Sequence, residues 1–473
     1  MSIPNSRSPI VDLPPEVLLM IFKHASQPRT FEKSELEADA RGEAVAIVHA
    51  SCEAENTAHA LPFVCRRWHN VAAMESTYWK HLDINIDGSS FIPAIVETFF
   101  VASRNSPISV TIVPPLGKSC SLTASQEHSR WQFIMANMSL HLGRLTSLCI
   151  ETYYRSTSVI ISRFLDGATL SLEDFRLTSH ETDDTSPLQI CSLNLTSSRL
   201  YELHIDAGSF VSLMESNIQW PSEGSTDLNL KRYHPISASL ALSPAHLMAA
   251  LQKFGQGRSC RQVAIDEVQF GPDDSPPNGI SLPEVSYIEL VDIHGPFIPL
   301  ICNAIRQSSQ MESMIVRGCS TPSRSPLLGY ELLIRDIDSS VSLLRMVQGS
   351  EVAYLDISEC DGFDDWFLGA LSLRGEADNS VTCPNLSRLE VSDCTFSASA
   401  LQRMCEMRHE DAPIKYIKVR LGSKLDDDSR SWFESHIEVF DWEERASSNF
   451  EAMSALEQLL SRVVDISNLG AGI

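Results

Sequence analysis

Across most of the chain the apolar positions repeat one phrase: apolar-x-x-apolar-x-apolar, often closed three residues later by a small residue. Leu145, Leu148 and Ile150 make one copy, and Leu172, Phe175 and Leu177 the next. Leu200, Leu203, Ile205 and Gly208 follow, then Cys260, Val263 and Ile265, and Val285, Ile288 and Leu290. Three copies close on cysteine: Met311, Met314, Val316 and Cys319; Val352, Leu355, Ile357 and Cys360; Leu386, Leu389, Val391 and Cys394. Ile414, Ile417, Val419 and Gly422 end the series, and Leu240 and Leu242 mark a degenerate copy. The period-two core of each copy predicts a short strand. Residues 243–254, 297–307, 340–347 and 399–407 between copies carry helical spacing. Upstream, the alternating runs 81–86 and 107–112 flank a helical stretch at 91–103, a strand–helix–strand unit that fits parallel pairing. One unit cannot bury its own apolar face, so the series predicts a stacked array. Small closing residues, the cysteines included, are expected to pack inside the turns.

The N-terminal stretch is patterned differently. Asp12 is a candidate N-cap, Pro14 and Pro15 sit where a first turn lacks acceptors for its N–H groups, and Glu16 suits the positive end of the helix dipole. Leu13, Val17, Leu18, Ile21, Phe22 and Ala25 then share one face. Residues 61–74 predict a second helix, with Val64, Cys65, Trp68, Val71 and Ala72 together, and Tyr78 and Trp79 follow it. Residues 27–60 separate the two helices and begin with an acidic run. So many aromatic and aliphatic residues on so small a unit suit a heteromeric interface as well as a core.

Charge and cysteine usage narrow the function. A net charge of -24 and a pI near 4.9 argue against a nucleic-acid surface and against binding anionic membranes. No apolar run reaches the ~20 residues that span a bilayer. The twelve cysteines include no C-x-x-C pair, so reduced buried thiols are expected rather than a zinc site. Gly117-Lys118-Ser119 resembles the end of a phosphate loop, but Ile112 stands where its first glycine is required. No G-x-S-x-G, H-E-x-x-H or G-x-G-x-x-G is present. The expectation is a non-enzyme without cofactor or metal, working in cytoplasm and/or nucleus.

The run Leu13-Pro14-Pro15-Glu16-Val17-Leu18 with Ile21-Phe22, then Val64-Cys65-Arg66-Arg67-Trp68 with Ala72, then Tyr78-Trp79 with Leu82, resembles the F-box motif, most of all that of fungal F-box proteins. The apolar phrase downstream is similar to the leucine-rich repeat. The resemblance implies an α/β chain: a helical F-box followed by an irregular leucine-rich-repeat-like solenoid with a parallel strand face. Its divisions are a tail at 1–9, the F-box at 10–82 with an insertion at 27–60, the array at 83–425, and a cap and tail at 426–473, with a final helix at 451–464. It further implies a substrate-recognition adaptor that docks a Skp-type adaptor, and through it a cullin ubiquitin ligase. Leu13, Pro14, Val17, Leu18, Ile21, Phe22, Val64, Cys65, Trp68, Tyr78 and Trp79 match the family's interaction motif. An F-box scaffold acting outside a ligase is the alternative. Residues between the apolar strand positions point away from the core. Among these Glu151, His204, Asp206, Asp266, Glu289, Asp356 and Glu390 are candidates for holding an unknown protein substrate, and the acidic first half would prefer a basic segment.

Overall fold

A computed structural model describes residues 13–25, 65–86, 93–114, 122–165, 172–183, 199–215, 224–235, 237, 240–257, 259–271, 280–282, 284–306, 311–321, 323–373 and 381–445. The expected tail 1–9, the insertion 27–60, Val64 and the helix 451–464 lie outside the described residues. The chain is α/β, and it divides into two compact units between Thr226 and Asp227.

The first unit opens with helices α1 (Pro15–Ala25) and α2 (Arg66–Ala72) and a 3-10 turn, Ser76–Trp79. Strands and helices then alternate: β1 (His81–Asn85), α3 (Pro93–Ala102), β2 (Ile108–Val113), α4 (Ala124–Met138), β3 (Leu145–Tyr154), α5 (Arg155–Leu165), β4 (Asp174–Glu181), β5 (Glu202–Asp206) and α6 (Ala207–Glu215). The five strands pair in chain order and in parallel. Parallel neighbours need a crossover, and helices supply most of them. Helix α4 is set by a capping box: Gln126 N–H donates to the Thr123 hydroxyl, and Thr123 N–H to the Gln126 side chain.

The second unit continues with β6 (Asp227–Tyr233), α7 (Pro244–Gly257), β7 (Gln262–Val268), β8 (Tyr287–Val291), α8 (Phe297–Ile305), β9 (Ser313–Arg317), β10 (Glu331–Arg335), α9 (Ser340–Val347), β11 (Tyr354–Ser358), α10 (Asp365–Ser372), β12 (Arg388–Ser392), α11 (Ala398–Arg408), β13 (Tyr416–Gly422), α12 (Asp427–His436) and β14 (Val439–Glu444). These strands also pair in parallel and in chain order.

The register explains the apolar phrase. Its second and third positions form two rows across the strands. In the second unit one row runs Leu228, Val263, Ile288, Met314, Leu332, Leu355, Leu389, Ile417 and Phe440. The other runs from Leu230 through Ile265, Leu290, Val316, Ile334, Ile357, Val391 and Val419 to Trp442. Apart from Phe440 these side chains are buried, and fully burying each contributes roughly 1.5–3 kcal/mol.

Each strand of the second unit from β6 to β13 carries the same backbone feature near its end. Two residues past the inner apolar position the backbone is left-handed, at Arg232, Glu267, Asp292, Gly318, Asp336, Glu359, Asp393 and Leu421. From Asp292 to Asp393 the N–H at this position donates to the carbonyl at the end of the next strand, for example Asp336 to Ser358 at 3.4 Å and Glu359 to Ser392 at 2.9 Å. The three repeat-closing cysteines follow directly. As expected they pack inside the turns, and their sulfurs also bridge neighbouring ones. Cys319 Sγ accepts from Ile293 N and donates toward Arg317 O at 3.2 Å; Cys360 Sγ accepts from Ile337 N and donates toward Ser358 O at 3.2 Å.

The first unit solves the strand end otherwise. β3 runs straight into α5, and β5 into α6. The fully buried Glu127 of α4 covers the first junction, accepting Tyr153 N–H (2.7 Å), Tyr154 N–H (3.2 Å) and the Thr157 hydroxyl (2.7 Å). Burial pushes its carboxyl above the usual range, against those three bonds.

Three strands depart from the expected series. β6 and β10 supply copies that the phrase did not reveal, and β14 extends the pairing into the segment expected to be a cap. Leu242, expected in a degenerate copy, makes an isolated bridge to Phe270 instead of a strand. Among the described residues no helix is long and apolar enough to cross a membrane.

Candidate functional site

The helical start of the first unit sorts ten of the eleven positions that match the interaction motif; Val64 lies outside the described residues. Leu18, Phe22, Trp68 and Trp79 are buried. Phe22 lies 5.2 Å from the Trp68 ring centroid and 6.3 Å, edge-on, from Tyr78. Trp79 Nε1 donates to Ala72 O at 2.9 Å, the Tyr78 hydroxyl to Leu19 O at 2.8 Å, and Arg67 to Leu13 O. These bonds tie α1 to α2 and to the turn after it, so the hairpin is preformed. Burial raises the Tyr78 hydroxyl's pKa, with Glu75 adding to it.

Pro14 is exposed, and Leu13, Val17, Ile21, Cys65 and Tyr78 are half-buried. At 100° per residue, the apolar positions of α1 run from Met20 through Val17, Ile21 and Leu18 to Phe22, about 200° in all, with Leu19 beyond Phe22 and with Leu13 and Pro14 leading into the helix. The buried core takes only the Leu18–Phe22 side. Met20, 64% exposed, lies on the open side. The motif comparison passed over it because it was not among the matching positions.

The seven substrate-face candidates separate as well. Glu151, Asp266, Glu289, Asp356 and Glu390 are half-buried on the strand face away from the apolar rows. His204 and Asp206 are buried, which corrects their expected exposure. Asp206 Oδ1 accepts Arg155 Nε at 3.0 Å and Ser209 N–H at 2.8 Å, while Arg155 Nη2 donates to the Ser209 hydroxyl at 3.2 Å. Asp206 therefore caps α6 and neutralises a buried cation. His204 contacts Glu202, whose carboxyl is held below the usual range chiefly by that hydrogen bond.

Donor atoms of Asp174, Glu202 and His204 all lie within 4.8 Å of one another. Arg176 already occupies this cluster, with Nε 3.4 Å from Asp174 and Nη2 3.3 Å from Glu202. A guanidinium held by both carboxylates disfavours a metal ion there.

In the second unit, one step ahead of the first apolar row, the same strand face carries Tyr287, Ser313, Glu331, Tyr354, Arg388 and Tyr416 in register. Outside β10 this row lies within the copies read from the sequence, but only the face positions after the first strand apolar residue were taken as candidates. Strict alternation places it beside the positions that were named, so it could have been found. Burial raises the carboxyls of Asp266 and Asp356 on this face, with Glu267 and Glu390 respectively adding to the effect.

Compared with known proteins, the sequence matches no family model and no curated protein.

Proposed function

We propose that this chain is a substrate receptor that docks a Skp-type adaptor through its helical start, thereby joining a cullin ubiquitin ligase, and holds a protein substrate on its strand face. The observation that carries the reading is the divided apolar arc of α1. One side packs on Trp68 and Tyr78, and the other, with Leu13 and Pro14 ahead of the helix, leaves Val17, Met20 and Ile21 for a partner. The resemblance of these residues to the F-box motif supplies the partner's identity, and the strand-and-turn repeats behind them resemble a leucine-rich-repeat solenoid. The role is non-catalytic: the bond-forming residues would lie on other chains, and this chain contributes proximity.

The test is co-purification of the full chain with a Skp-type adaptor, beside a Val17→Glu, Met20→Glu double variant. Both changes sit on the open side of α1, so the fold is retained, as read by circular dichroism. The expected result is adaptor capture by wild type and its loss in the variant. Capture of equal amounts by both would overturn the reading. A scaffold outside a ligase would capture the adaptor yet leave its bound partners free of ubiquitin.

A further inference from the structure

The second unit holds two of its own arginines by one chemistry. The Arg388 guanidinium lies between the rings of Tyr354 and Tyr416, 4.4 and 4.3 Å from their centroids, and reaches Glu390 at 2.5 Å. Arg261 stands 5.1 Å over the Tyr287 ring and 3.8 Å from Glu312, which also accepts the Tyr287 hydroxyl. Each cation rests on a tyrosine face and ends on a glutamate.

Between these two arginines, at the starts of β8, β9 and β10, an open cavity of about 510 Å³ is lined by Tyr287, Met311, Glu312, Ser313, Tyr330 and Glu331, among others. Tyr330 is 70% exposed. Glu331 is half-buried, and among the described residues its carboxylate makes no ion pair. The next strand places Tyr354 beside it in register. Tyr287 and Glu312 in its wall already hold Arg261, and Tyr330 and Glu331 add a second tyrosine and a second glutamate at the start of β10.

We propose that this cavity is an arginine subsite, receiving the side chain of a basic segment on a partner protein. Tyrosine rings attract a cation through their faces. A guanidinium is planar, weakly hydrated and suited to two-point bonding with a carboxylate, whereas an ammonium offers only a point charge. The chain's charge of -24 raises the encounter rate with basic partners. This deepens the substrate-receptor reading by naming a substrate class, and it rests on that reading only for the fate of the bound partner.

The probe is a fluorescein-labelled peptide of alternating glycine and arginine, titrated against the full chain by anisotropy. Its control is the same peptide with citrulline, which keeps the shape and removes the charge. The arginine peptide is expected to bind, and citrulline to weaken it by at least about tenfold. Tyr330→Ala with Glu331→Gln is expected to weaken the arginine peptide by a similar factor. Glu434→Gln with Glu443→Gln, an equal or greater charge loss at exposed positions elsewhere in the unit, is expected to retain binding. Tyr330→Ala alone removes an exposed ring, so a binding loss there does not come from unfolding. The proposal is overturned by wild-type affinity in the cavity variants, by equal loss in the control variant, or by equal binding of the citrulline peptide. Adaptor capture is measured on the same preparations. Capture without peptide binding overturns the subsite and leaves the receptor reading intact, and the reverse outcome does the opposite.

Discussion

The Arg155–Asp206 pair offers a double-mutant cycle with opposite expectations for a structural and a substrate-binding aspartate. Asp206 has no exposed surface and Arg155 is 2% exposed. At their 3.0 Å separation, with an effective dielectric of about 20, the attraction is about 5.5 kcal/mol. Removing both ions from water costs several kcal/mol each, so the pair is close to neutral against a well-packed apolar replacement. Removing one partner is different, because the other charge stays buried. Arg155→Met or Asp206→Leu alone is expected to destabilise by about 3–5 kcal/mol. With a urea slope near 3 kcal/mol/M, each single variant's unfolding midpoint falls by roughly 1–1.7 M. The Arg155→Met, Asp206→Leu double variant is expected within about 0.5 M of wild type. Far-UV circular dichroism follows the transition. Midpoints unchanged in the single variants, or a double variant that loses the sum of both, would refute the reasoning. A double variant that regains stability and still captures wild-type partners assigns Asp206 to the fold rather than to substrate contact.

Three further expectations follow from other parts of the molecule. Glu127 and Glu202 should shape the acid response in opposite directions. Glu127's raised folded pKa means that stability rises as pH falls through that value toward 4.5, whereas Glu202's lowered one means that its contribution is lost below 4.5, as pH falls through its folded pKa. Glu127→Gln should flatten the first limb and Glu202→Gln the second in denaturation midpoints measured against pH; unchanged limbs would contradict the assignments. Burial pushes the thiols of Cys319 and Cys360 up to about 12 and that of Cys394 to about 11, so iodoacetamide at mildly alkaline pH should leave all three unlabelled until the chain is unfolded, with peptide mapping as the readout. Gly362→Ala would place a Cβ 2.6 Å from the Ser339 carbonyl carbon, a backbone clash expected to cost about 1–3 kcal/mol, and an unshifted midpoint would show that the turn yields instead.

Most strands were legible because their two apolar rows are aliphatic and closely spaced in sequence. β6 was hidden by the turn-rich stretch before it, where Leu228 and Leu230 looked like the edge of a loop. β10 was missed because Ile334 follows Val316 by only 18 residues, too short an interval to expect a full unit. In β14 the rows are filled by Phe440 and Trp442, so the segment looked like an aromatic cap. Helices α5 and α6 begin where the strands end, leaving no turn residues to announce them. For the candidate site, sequence could group Leu18 with Val17 but could not say which side of α1 faces Trp68. That depends on the packing angle between two helices separated by the insertion 27–60. Asp206 was misplaced because strand alternation continues correctly to its backbone, while its side chain is drawn inward by Arg155 on a helix distant in sequence.

The left-handed backbone near the end of each strand from β6 to β13 separates two kinds of variation. The spacing between consecutive inner apolar positions in the second unit ranges from 18 residues at β9–β10 to 35 at β6–β7. A left-handed residue recurs near the end of each of these strands, so insertions are absorbed by helices and loops while the two apolar rows stay paired. Positions on the strand face away from the apolar rows can then be exchanged singly, as letters on a fixed ruled line, while the connecting segments lengthen or shorten. A library that varies only the row from Tyr287 to Tyr416 would therefore sample new binding surfaces on a constant backbone.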